Sequence, residues 1–343
     1  MPDPLIVRTM RQFKADLLAA EEDQMREMAR RWLQVEYALE ARISDLARTI
    51  RDLQAAGESV SPEKLYQMQR YQALLRQTRR EIDDYAEYAE RTITARQREL
   101  AGVGIEHAAQ TIQAGYTQVG RISPMFDRLP IEAVEAMAGL AGDGSPLKAL
   151  LANAYPDAVD GLTRALVRST ALGVGPRQTA KAMQYLVAPD AAKAGLADGF
   201  NRVLTIARTE QLRVYREASR QQWQASGLVS GFYRLATHDA RTCAACLMAE
   251  GEWFPVQSAL TDHVQGRCSA VPKLKGVPAL KWEKGQEWFV KQDEDTQRGI
   301  LGKGRFEAWK EGKFKLKDVV KRTTDPTWGG SLGVRPLREL IAG

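Results

Sequence analysis

Cysteine and histidine are scarce in this chain, with three of each in 343 residues. A small, odd cysteine count excludes a disulfide framework. No apolar run is long enough to span a bilayer. The opening MPDPLIVRTMRQF lacks the basic-then-apolar order of a signal peptide. A soluble protein used in a reducing cytoplasm is the expectation. No P-loop, dinucleotide fingerprint, HExxH or GxSxG occurs. LGVG and GILGKG are glycine turns in the wrong context for phosphate binding. QDEDTQ (292–297) is an acidic run suited to a solvated turn, not a nuclease cluster. No repeat of fixed period is visible.

What is present is mostly helix-forming. Aromatics are few, and Ala, Arg, Gln, Glu and Leu dominate the first two thirds, a composition that favours helix. Charge is unevenly spread. Residues 269–343 carry 16 Lys+Arg against 10 Asp+Glu, which accounts for the whole net charge of +6. A basic tail beside a compact domain suits proximity to nucleic acid; a solvated lysine-rich surface is the plainer reading.

Residues 8–56 carry the stripe Trp32, Val35, Leu39, Ile43, Leu46, Ile50, Leu53, whose spacings of 3 and 4 describe one face of a helix. Gly57 suits a helix end, and Ser61-Pro62 an N-cap with proline at the first helical position. A second stripe follows: Leu65, Met68, Leu75, Ile82, Tyr85, Ala89, Ile93, Leu100. Two long helices and a short turn predict an antiparallel hairpin, with Arg and Glu on its outer, solvated faces. GVGIEH and AGYTQVGRISPMFDRLP predict a loosening near 102–130. Shorter helices are expected over 131–141, 146–154, 157–172 and 176–187, and a long one over 200–226, with Val203, Ile206, Ala207, Val214, Ala218 and Trp223 inward. After Gly227, VSGFYRLATHD and GEWFPV read as paired strands. The predicted fold is mainly α with a small α+β C-terminal domain: a hairpin (1–101), a helical middle (102–226) and a compact α+β domain (227–343).

All three cysteines fall within DARTCAACLMAEGEWFPVQSALTDHVQGRC, as Cys243-x2-Cys246-x16-His263-x4-Cys268. A CxxC turn presents two sulfurs to one point. A His and a Cys across a hairpin can complete a tetrahedron. Cys243, Cys246, His263 and Cys268 have the ligand count and softness of a closed structural zinc site. Three buried thiols acting as small hydrophobes are the alternative. A redox CxxC lacks its βαβ setting. A Cys-His nucleophile lacks an orienting group.

Two further clusters carry chemistry. In IARTEQ (206–211), Arg208 and Glu210 lie near the buried stripe and suit a helix-anchoring ion pair. Glu250-Gly251-Glu252 has the ExE form of arginine-specific ADP-ribosyltransferases. Arg208 would be that enzyme's upstream arginine, but no Ser-Thr-Ser lies between.

Taken in order, IARTE, DARTCAAC with EGEWF, HVQGRC and the Lys-rich QRGILGKGRFEAWKEGKFKLKDVV resemble the tailed-phage minor head proteins of the Mu F-like (head morphogenesis) family. The resemblance covers about 200–325. Val264 stands where the family has Pro, and Gly266 where it has the first Cys of a Cys-Arg-Cys pair. The resemblance implies a non-enzymatic capsid protein that binds the portal vertex inside the procapsid and assists head assembly, genome packaging or delivery. It implies location in the virion near the portal, and in the host cytoplasm during assembly without a membrane. Implied partners are the portal protein, scaffold or major capsid protein, and packaged DNA through the basic tail. The other readings are an ADP-ribosyltransferase-like enzyme and a zinc-stapled DNA-binding module.

Overall fold

The computed structural model describes residues 3–130, 132–152, 154, 195–325 and 328–341. The helices expected over 157–172 and 176–187 lie outside the described residues. Helix α1 spans Leu5–Ala55, α2 Pro62–Gln67 and α3 Gln69–Gln118. Ser61 caps α2 by accepting from the Lys64 amide at 3.2 Å, with Pro62 at the first helical position. Helix α1 and α3 form the long antiparallel hairpin.

Packing groups the chain into two units: residues 1–20, 95–144 and 208–343 in one, 21–94 and 145–207 in the other. This differs from three consecutive segments. The expected boundary at 101 falls inside α3, because that helix continues to Gln118.

In the second unit the seam of the hairpin is aromatic and aliphatic. Trp32, Val35, Leu39 and Leu46 of α1 and Leu65, Tyr71, Leu74, Tyr85 and Ile93 on the returning side are buried. Trp32 and Tyr85 meet edge to face at 5.0 Å. Leu75 is half-buried, and Leu74 takes the inward place. The order is pinned by Gln24 to the Thr92 carbonyl, Tyr85 to the Met28 carbonyl and Gln77 to the Ala38 carbonyl. Each fully buried large side chain contributes about 2 kcal/mol. Surface pairs such as Arg26–Glu22 and Arg91–Glu87 contribute under about 1 kcal/mol each, so the seam decides. Helix α4 (Glu132–Glu135) belongs to the first unit and α5 (Leu147–Ala152) to the second.

In the first unit, α6 (Gly195–Ala225, from Arg208 onward) lies against the end of α3. The expected loosening at 102 is absent. Gly104 stays helical because α6 presses on it: a Cβ there would come 2.6 Å from the Tyr215 carbonyl oxygen. A glycine that reads as a break is here the point of closest approach. Irregular chain begins only after α3. The α6 stripe is buried as its spacing predicts.

Strands β1 (Val229–Leu235), β2 (Trp253–Pro255) and β3 (Ser269–Leu274) form an antiparallel sheet with β1 central. One core joins this sheet to Ile6, Met10, Ile112 and Trp223. Between β1 and β2 lies α7 (Ala244–Met248). The tail adds α8 (Gly285–Val290), α9 (Glu294–Leu301), α10 (Lys303–Lys310), a 3-10 turn (Leu316–Val319), the hairpin β4 (Val320–Asp325) and β5 (Gly329–Val334), and α11 (Leu337–Ile341). QDEDTQ is the start of α9, where Asp293 caps the Thr296 amide at 2.7 Å. A second core gathers Cys246, Leu247, Cys268, Phe289, Leu301, Phe306 and Val319.

Gly104→Leu is expected to destabilise the protein by about 2 kcal/mol through overpacking against α6, read as a lower midpoint in chemical denaturation. An unchanged midpoint would show that the two helices are not in close contact there.

Candidate metal centre

The centre is assembled by short local turns. After β1 the chain reverses at Asp239, whose Oδ1 accepts from the Arg241 amide at 3.0 Å and the Thr242 hydroxyl at 2.7 Å. This turn fixes the backbone entering α7. Arg267 forks onto the same carboxylate with two 2.9 Å bonds, tying the DARTC segment to the GRC segment. Burial works against the Asp239 charge, but the Arg267 and Thr242 hydrogen bonds outweigh it and hold the carboxyl below its usual range.

Cys243 is the N-cap of α7 and Cys246 lies in its first turn. The CxxC is thus a helix start, not a free turn between strands. The Cys243 and Cys246 sulfurs and a His263 ring nitrogen lie within 4.8 Å of one another; so do the Cys246 sulfur, an Asp262 oxygen and the Cys268 sulfur. Bonds of about 2.3 Å to a tetrahedral ion place sulfurs about 3.8 Å apart. Cys243, Cys246, His263 and Cys268 therefore converge as their spacing predicts and could hold a metal ion. Cys246 and Cys268 are buried, while Cys243 and His263 are half-buried. His263 Nδ1 donates to the Val264 carbonyl at 2.7 Å, which leaves Nε2 as the ligand nitrogen. A cleft of about 590 Å³, lined by Arg213, Arg216, Trp328 and His263 among others, opens beside the centre.

Asp262 is the residue that sequence reasoning misses. Its Oδ1 accepts from the His263 amide at 2.9 Å. Its Oδ2 accepts from the Cys268 amide at 3.2 Å and from Arg216 at 2.9 Å. The Cys246 sulfur is 3.7 Å from Oδ1. Arg216 also donates to the Cys268 and Gly266 carbonyls. The carboxylate is thus an organiser, with its lone pairs taken by backbone and guanidinium. It also accounts for Gly266. A Cβ at 266 would sit 2.2 Å from the Asp262 carboxylate, so a larger residue there would displace that carboxylate, and Cys268 is the cysteine that reaches the cluster.

The metal-free ligands share protons. Hydrogen bonding with the Cys243 and Cys268 sulfurs, together with burial, raises the pKa of the Cys246 thiol. Chiefly through its bond with Cys246, with help from His263, the Cys243 thiol is pulled down to about 4. Cys268 is lowered by its bond with Cys246, against its burial. His263 rises to about 9 through its hydrogen bond with Cys243, again against burial.

The other candidate residues have structural partners. Glu210 is buried and accepts from Arg213 (2.7 Å), the Gly142 amide (3.0 Å) and Trp328 Nε1 (2.7 Å). It anchors α6 as expected, but Arg213 is its ion-pair partner in place of Arg208. Glu250 pairs with His238 at 2.5 Å and takes Trp282 Nε1 at 3.3 Å. Glu252 lies 3.6 Å from Arg234 and 2.7 Å from Arg322. Both ExE carboxylates have side-chain partners. Compared with protein-family models, curated proteins and solved structures, the chain matches none.

Two outcomes follow from this geometry. Gly266→Cys, which adds a thiol, is expected to lower both thermal stability and metal retention because it displaces Asp262; a gain in retention would contradict the organiser role. Metal titration of the metal-free protein at pH 7.5 is expected to release fewer than four protons, since Cys243, pulled down to about 4, is already a thiolate. Calorimetry in buffers of different ionisation enthalpy measures that number, and four protons would contradict the lowered Cys243 thiol.

Proposed function

We propose that this chain is a structural, non-enzymatic minor head protein of a tailed phage, stapled by zinc and binding the portal vertex during head assembly. One observation carries the reading. The four sequence blocks that resemble the Mu F-like family all serve to hold one domain together. IARTE supplies buried Glu210. DARTCAAC and HVQGRC supply the metal cluster and the Asp239–Arg267 fork. The tail block supplies Leu301 and Phe306 to the core, and Gln297, whose amide donates to the Phe289 and Gln292 carbonyls. Zinc is the ion favoured by three thiolates and one imidazole.

The engagement of Glu250 by His238 and Trp282, and of Glu252 by Arg234 and Arg322, favours this reading over an ADP-ribosyltransferase. The hairpin offers a surface for protein contact: Leu33 and Tyr37, one turn apart on α1, are 40% and 70% exposed. Exposed apolar side chains on a charged helix suit a partner. Lysines of the C-terminal segment, such as Lys315 and Lys317, are exposed and suit contact with packaged DNA.

The test is co-purification with the portal protein of the same phage. The wild type is expected to be retained, and Leu33→Glu with Tyr37→Glu to reduce retention at least tenfold with unchanged helix content. Absence of wild-type retention, with purified protein that hydrolyses NAD, would overturn the reading in favour of the enzyme.

A further inference from the structure

One face of the three-stranded sheet carries an aromatic row flanked by lysines. Trp253 on β2 is 49% exposed and is the only exposed one of the chain's seven tryptophans. Its indole rests on Gly231 of β1. A Cβ at 231 would sit 2.8 Å from the indole Nε1 and would run into the Phe254 carbonyl oxygen. Gly231 has no positive φ, so this glycine provides room, for the neighbouring strand and for the ring. Trp253 pairs with Tyr233, and Lys273 of β3 pairs with Gly231. Residues that are opposite, or two apart along a strand, point to the same side of a sheet. Lys273, Trp253 and Tyr233 therefore share one face. Tyr233 is half-buried and meets the Trp282 ring edge to face at 5.7 Å. The Lys284 ammonium lies 5.5 Å from the centroid of that ring.

Lys284 also lies over Gly251, two residues before Trp253, where a Cβ would be 2.8 Å from its Cε. The Gly251 amide donates to the Arg234 carbonyl, three residues along β1 from Gly231. The positions of Lys273 and Lys284 thus bracket Trp253, about 10 Å apart along the strand. Among the described residues neither lysine, nor the exposed Lys281, is paired with a carboxylate, whereas Lys291, Lys310, Lys313 and Lys321 all are. An exposed indole between unpaired ammonium groups is complementary to a planar ring carried on an anionic chain. Single-stranded nucleic acid offers both, because its bases have free faces. In a duplex those faces are stacked on one another. An acidic peptide would engage the lysines and leave the indole unused.

We propose that this face binds single-stranded nucleic acid, with a base stacked on Trp253 and flanking phosphates on Lys273 and Lys284. The site uses neither the metal centre nor Lys315 and Lys317, and it stands apart from the capsid reading.

The experiment measures fluorescence anisotropy of a labelled oligothymidylate of about 12 nucleotides with the full-length protein, at two salt concentrations. The competitors are the same sequence as a blunt duplex, an abasic strand of equal length and polyglutamate. The wild type is expected to prefer the single strand to the duplex and to the abasic strand by about tenfold. Trp253→Ala is expected to weaken binding about tenfold, and Trp253→Phe to recover most of the loss. Lys273→Gln with Lys284→Gln is expected to weaken binding and to reduce the salt slope by about 1.4. Lys315→Gln with Lys317→Gln is expected to leave the single-strand preference in place. If Trp253→Ala fails to fold, the abasic strand and the lysine pair carry the test. No binding by the wild type, or duplex or abasic strand bound as tightly as the single strand, would overturn the inference. So would a folded Trp253→Ala that binds as the wild type does. Polyglutamate competing as well as the oligonucleotide would overturn it in favour of an acidic protein partner.

Discussion

One carboxylate sets the geometry on which the C-terminal domain depends. Asp262 accepts the amides of His263 and Cys268 and the guanidinium of Arg216. Three elements thereby meet at one point: α6 through Arg216, β3 through the residue preceding it, and α7 through Cys246. The loop 262–268 closes around this carboxylate so tightly that a Cβ at 266 would sit 2.2 Å from it. The thiols and the imidazole are brought together because the backbone that carries them wraps around an acceptor. A hydrogen bond to a charged acceptor contributes more than a neutral one, and three on one buried group leave the loop little freedom.

The centre lies within a hydrophobic core. Cys246 and Cys268 pack with Leu247, Phe289, Leu301, Phe306 and Val319. The short elements of the tail, from α8 to α11, each bury only a few side chains, and small elements of this kind gain most from a metal clip. The sheet core and the tail core meet along β1 and β3, where Arg234 and Cys268 stand. The network of Glu210, Arg213 and Trp328 adds a second tie, from α6 to the β4–β5 hairpin. This second tie uses a buried carboxylate that three donors reach, the condition under which such groups hold a fold in one arrangement.

Much of this was legible in the sequence, for reasons that differ by feature. The helices of the hairpin and α6 follow from spacing alone, because a one-sided apolar stripe has no other use at that period. The ligand set follows from residue type: scarce cysteines and a histidine at short intervals. Gly102 and Gly104 read as a break, since local propensity counts glycine as a helix breaker and cannot see Tyr215 pressing from α6. Asp262 carries no periodic mark and is one of many acids. Arg216 and Arg234 come from α6 and β1, so their approach to Asp262 exists only in the tertiary structure. Glu210 was marked by its place on an apolar stripe, but its partners Gly142 and Trp328 lie 68 and 118 residues away.

The account rests on the centre being a metal staple, and metal analysis of the purified full-length protein tests that most directly. About one equivalent of zinc, lost on Cys243→Ser together with a fall in thermal stability, is the predicted result. Less than about half an equivalent, with Cys243→Ser indistinguishable from the wild type in metal content and melting, would contradict it.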